Sequence, residues 1–153
     1  MKTITCAAII AVALTGSAAA QMQHDKAAME HRGHQAMGWD QSKATHTFAP
    51  ATDGGRIEIK ANDPADAVTV AAIRSHLQEI AKSFKAGAFD KPMMIHAQTP
   101  PGVPEMTRLK AQIDYKYEEL PAGGKVTIAS ANADAIKAVH EFLKFQATEH
   151  AGK

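Results

Sequence analysis

From Thr45 the chain alternates, with His46 and Phe48 on one side of an extended segment and Thr45 and Thr47 on the other. Period two marks a half-buried strand, because successive side chains of extended backbone point to opposite faces. Asp53-Gly54-Gly55 then turns the chain, glycine supplying the positive φ that tight hairpins need. Ile57 and Ile59 alternate with Arg56, Glu58 and Lys60 as a second strand. Asn62-Asp63-Pro64 offers a helix cap with proline in the first turn. The period now lengthens: Ile73, Leu77, Ile80 and Phe84 lie on one stripe of a helix that stops near Gly87.

A connector, K-P-M-M-I-H-A-Q-T-P-P-G-V-P, is too constrained for a helix until about Glu105. The first pattern then returns. Ile113, Tyr115 and Tyr117 alternate with Asp114, Lys116 and Glu118, Gly123-Gly124 turns the chain, and Val126 and Ile128 alternate with Lys125 and Thr127. A second helix opens near Asn132 and carries Ile136, Val139, Leu143 and Ala147. G-G-R-I-E-I-K-A-N-D against G-G-K-V-T-I-A-S-A-N, and A-D-A-V against A-D-A-I, read as a duplicated strand-strand-helix unit. The expected fold is α+β: a duplicated ββα unit forming a four-stranded antiparallel sheet with two helices on one face, the other face left to water.

The start of the chain follows neither period. Lys2, the apolar run Ile4 to Leu14 and Ala18-Ala19-Ala20 read as a signal peptide over residues 1–20, cleaved before Gln21, which places the product in the periplasm or outside the cell. The apolar run is too short to span a bilayer, so no membrane anchor is expected. Residues 21–43 hold few aliphatic side chains and read as a flexible His/Met-rich arm, and 44–153 as a single α+β domain.

Export restricts the chemistry. Cys6, the only cysteine, leaves with the leader, so no disulfide, thiolate metal site or cysteine nucleophile remains. The 17 basic and 16 acidic residues balance once Lys2 is lost, and no electrostatic case for nucleic acid exists. His, Met and carboxylates are left as metal ligands. In the arm His24, His31 and His34 interleave with Met22, Met29 and Met37. Thioether and imidazole together suit copper, since Met favours Cu(I) and imidazole accepts both oxidation states. Trp39 reads either as a cation–π neighbour of a bound Cu(I) ion or, beside Met37, as a packing residue.

Within the domain, His46 shares the apolar strand face, while His76, His140 and His150 sit near the inner edges of the two helices. Three or four of these imidazoles converge if the duplication holds, and His96 adds Met93 and Met94 nearby. Taken alone, each histidine reads equally as a structural boundary residue, and the methionines as core filler. No G-x-S-x-G, H-E-x-x-H, phosphate-binding glycine loop or deaminase signature occurs, so an enzyme is not supported. The expected function is periplasmic binding or handling of copper or a similar soft metal. The alternatives are a module that docks another periplasmic protein, its histidines structural or pH-responsive, and haem binding through His76, His96 or His140.

At M-G-W-D (37–40), T-H-T-F (45–48), N-D-P-A-D (62–66), P-P-G-V-P (100–104) and V-H-E-F-L-K-F-Q (139–146), the chain resembles a family of small exported bacterial proteins. Members typically read M-G-F-D and T-H-H-F, so Trp39 and Thr47 are departures here. Such proteins often carry the label aspartate carbamoyltransferase. This chain contradicts that label, being too short for two substrate domains and lacking the S-T-R-T and H-P-x-Q motifs that hold carbamoyl phosphate. The resemblance implies a module and a compartment rather than a reaction.

Overall fold

The computed structural model describes residues 16–151, with side chains from residue 27 onward. Helix α1 (Gly16–Met37) leads through a 3-10 turn at Gln41–Lys43 into a hairpin of β1 (Ala44–Ala51) and β2 (Gly54–Ala61), followed by α2 (Ala67–Lys85). Two short helices, α3 (Asp90–His96) and α4 (Val103–Arg108), precede the second hairpin, β3 (Asp114–Leu120) and β4 (Gly123–Ala129), and α5 (Ala133–Glu149) closes the chain. The four strands form one antiparallel sheet in the order β1-β2-β4-β3. This is the α+β architecture expected from the two alternating segments. No helix of the described residues is long and apolar enough to cross a membrane.

The register displays an internal two-fold. Ile57 pairs with Val126 at the centre of the β2/β4 ladder, and pairs run outward symmetrically, Gly55 with Ile128 and Ile59 with Gly124. Each helix packs mainly on the other unit's hairpin, α5 over β1 and β2 and α2 over β3 and β4. The second glycine of each G-G pair permits this crossing. A Cβ at Gly55 would lie 2.4 Å from Leu143 Cδ1, and one at Gly124 would lie 3.1 Å from Leu77 Cδ1. Leu77, Leu143, Ile73, Val139, Val126 and Ile128 are fully buried between the layers. Each such side chain contributes about 1.5–3 kcal/mol relative to exposure. Arg56, Lys60, Asp114, Lys116 and Thr127 are exposed on the opposite face.

Several boundaries differ from the sequence reading. The cap of α2 is Asp66, whose carboxylate accepts from Thr69 N–H and Oγ1–H, while Asn62 bonds Thr45 and the Ser42 carbonyl instead. Pro64 therefore lies before the helix. Asn132 caps α5 as expected, but the stripe is rotated: Ala138, Phe142 and Gln146 are buried, Ile136 is half-buried and Ala147 is exposed. The connector contains two helices. Pro92 and Pro104 fall in their first turns, where the missing N–H had no intrahelical partner to lose.

The arm also differs. Residues 27–37 are the end of a packed helix, with Met29 and Met37 buried and Arg32 Nε donating to the Ile95 carbonyl of α3 at 2.9 Å. Gly33 lets the buried Gln41 side chain lie against the helix, where its Nε2 donates to the Glu30 carbonyl. One small or apolar residue per turn, Met29, Gly33 and Met37, was enough to dock a sequence that is otherwise polar. Residues 1–15 of the expected leader, and the side chains of residues 16–26 with Met22 and His24 among them, lie outside this description.

Candidate functional site

Because α5 crosses the first hairpin, its last turn lies over β1. His46 and Phe48 point inward from β1 by the period of two, and Gln146 and His150 point down from α5, four residues apart and so on one face. The His46 and His150 rings meet with centroids 5.3 Å apart and planes 19° from parallel, and Phe48 lies 5.4 Å from His150. From α3, His96 turns its ring edge-on to His150 at 5.6 Å. Trp39, just past α1, stacks on His46 at 6.4 Å and meets His76 of α2 edge-on at 5.3 Å. Four histidines are thus joined ring to ring, His46, His150 and His96 directly and His76 through Trp39.

These groups surround a cleft of about 50 Å³, with Met37, His46, Phe48, His76, Gln146 and His150 among its walls and Lys91 at its rim. That is space for an ion and a water or two. Ile57, Ile59, Ile80 and Phe84 make the rest of the lining apolar.

Burial sets the protonation of His76. Desolvation first, then the charges of Lys91 and His46, holds its pKa at about 3, so the ring is neutral at physiological pH. Its Nδ1 is buried and has no hydrogen-bond partner among the described residues. His96 is fixed differently. The Gln146 amide oxygen, 3.1 Å away, accepts from its Nε2–H, and Glu149 Oε2 lies 3.9 Å from Nδ1. Lys91 is paired with Glu79, which moderates its repulsion of a cation in the cleft.

Of the histidines singled out from sequence, His46, His76 and His150 line the cleft and His96 adjoins it. His140 does not belong to the cluster: its Nε2–H donates to the Ala51 carbonyl at 2.8 Å, tying α5 to the end of β1. Position 140 falls on the flank of the rotated stripe, which is why the sequence grouped it with the others. His31 and His34 are exposed on the outer side of α1, whereas Met29 and Met37 face inward. Met93 and Met94 are solvent-exposed, and Met106 is core. Gln146 and Lys91 were missed in the sequence reading. The four-residue spacing of Gln146 and His150 was the available signal for the first, and nothing local marked the second.

The histidines are not a ready-made chelate. His46 and His150 stack rather than direct lone pairs at a common point, and among the described residues no three His, Cys, Asp or Glu side chains converge on an ion position. The arrangement offers a neutral imidazole, two stacked imidazoles and a buried thioether around one small space, a donor set suited to a soft ion of low coordination number. No family model matches the chain, and no curated protein or solved structure matches it.

Proposed function

We propose that this protein binds copper, as Cu(I), in the cleft between β1, α2, α3 and α5, and that it does so after export to the periplasm. The observation that carries the reading is the convergence of His46, His76, His150 and Met37 on one space. They are spread across the sequence and lie on separate elements. Imidazole with thioether is a combination that favours Cu(I) over zinc or iron.

Two features support the assignment. His76 keeps its lone pair at physiological pH, because burial holds its pKa at about 3. Trp39, 4% exposed, packs its ring against both His46 and His76, two of the residues that line the cleft, and holds their rings in place. His150 supplies the adjustment. It follows the last residue of α5, where the helix has ended, and rotation of its ring off His46 turns two stacked imidazoles into two donors. The copper ion is cargo in this reading, held and passed on, and no bond-breaking chemistry is assigned to the protein.

The experiment is metal analysis of the mature protein purified from copper-supplemented periplasm. The expected result is about one Cu(I) per chain, counted with a Cu(I)-specific chelator, in the native protein and far less in the His46→Ala, His150→Ala double variant. A metal-free native protein with only millimolar copper affinity would remove the proposal.

A further inference from the structure

Helix α1 carries ligands of two kinds on its two sides. Met37 faces the cleft, while His31 and His34, three residues apart and thus one turn from each other, face solvent. Side chains at that spacing have Cβ atoms about 5–6 Å apart, close enough for two imidazoles to reach one ion. Neither is enclosed by apolar walls or accompanied by a thioether. We infer that His31 and His34 form a second, surface copper site that takes Cu(II), distinct in ligand chemistry from the Cu(I) cleft on the inner side of the same helix.

The surroundings favour a dication. The pair lies in the last turns of α1, whose carbonyl end carries partial negative charge. The helix ends at Gly38, in the left-handed conformation at φ 84°, with its N–H returning to the His34 carbonyl. Asp40 follows at once. Its carboxylate is held ionised by the Ser42 hydroxyl and N–H, and it lies near enough to feel the charge of His34. Imidazole nitrogens completed by water make the tetragonal nitrogen and oxygen environment that Cu(II) prefers, and the absence of sulfur from the pair disfavours Cu(I). Arg32, between the two histidines, is drawn to the other side by its bond to the Ile95 carbonyl, so the guanidinium does not occupy the site.

This inference rests on the reading of the chain as a copper-handling protein, yet the two sites fail separately, because Cu(II) is paramagnetic and Cu(I) is not. The mature chain is titrated with Cu(II) and followed by electron paramagnetic resonance, alongside His31→Gln, His34→Gln, their double variant, His46→Gln, and His24→Gln as control for the competing N-terminal imidazole. The expected result is a tetragonal signal with imidazole-nitrogen splitting in the wild type, weakened at least about tenfold in affinity in the double variant, the scale on which well-supported ligation is lost. His46→Gln and His24→Gln retain it. Unchanged affinity and splitting in the double variant would overturn the inference, as would loss of the signal in His24→Gln or His46→Gln alone. Both substituted residues of the pair are exposed, and unchanged circular dichroism confirms that each variant is folded.

Discussion

Replacing His76 by phenylalanine tests how the cleft is held together. The internal two-fold supplies the precedent: counting from the caps Asp66 and Asn132, the position of His76 on α2 corresponds to Phe142 on α5, which is buried. In the folded protein His76 accepts a proton only near pH 3, against an ordinary value of 6.5. As pH falls the unfolded chain takes the proton first. The stability associated with the neutral ring is therefore complete above 6.5 and is lost progressively towards 3. At about pH 5 the folded ring is still neutral and the unfolded one is almost fully charged, so the loss relative to about pH 7.5 is set mainly by the unfolded value and amounts to about 2 kcal/mol. His76→Phe removes that loss. Urea unfolding at both pH values, followed by circular dichroism and by the fluorescence of Trp39, gives the two differences. The wild type should lose about 2 kcal/mol more than the variant between them. Equal losses would refute the claim that His76 is buried neutral.

Two other substitutions probe the packing that positions the site. Gly55→Ala places a Cβ 2.4 Å from Leu143 Cδ1 and 2.6 Å from the Ala49 carbonyl. It should cost about 1–3 kcal/mol in thermal or chemical unfolding as α5 is pushed off the first hairpin. Gly33→Ala places a Cβ 1.7 Å from Gln41 Nε2, so Gln41 must leave its bond to Glu30. Faster hydrogen exchange and proteolysis across residues 27–43, with the sheet unaffected, is the expected outcome; protection equal to wild type would show that α1 docks by other contacts.

The strands and α2 were legible because charge and apolarity alternate there without interruption, as in Arg56, Ile57, Glu58, Ile59 and Lys60. Helix α1 was not, since its buried side is made of Met29, Gly33 and Met37 set in a polar sequence, and such a sparse stripe resembles a segment that packs nothing. The rotation of α5 is not legible in its apolar pattern, because Ala138 and Phe142 beside Val139 and Leu143 define as continuous a stripe as Ile136 and Ala147 do. For the site, the residue types were readable and the geometry was not. His46 and His150 stand 5.3 Å apart because each helix crosses the other unit's hairpin. That choice of packing partner has no local signature. His140, which sits beside Val139 much as His76 sits beside Leu77, is instead fastened to Ala51, a distinction that depends on how the helix is rotated over the sheet.

The central claim is that the cleft binds Cu(I) through His46, His150 and their neighbours. Competition of the mature protein against a chromogenic Cu(I) chelator, with wild type beside His46→Ala and Met37→Leu, tests it most directly. The account predicts one tight Cu(I) per wild-type chain, quenching of Trp39 fluorescence as it binds, and affinity at least about tenfold weaker in each variant. Equal affinities in all three proteins, or no competition by the wild type, would contradict it.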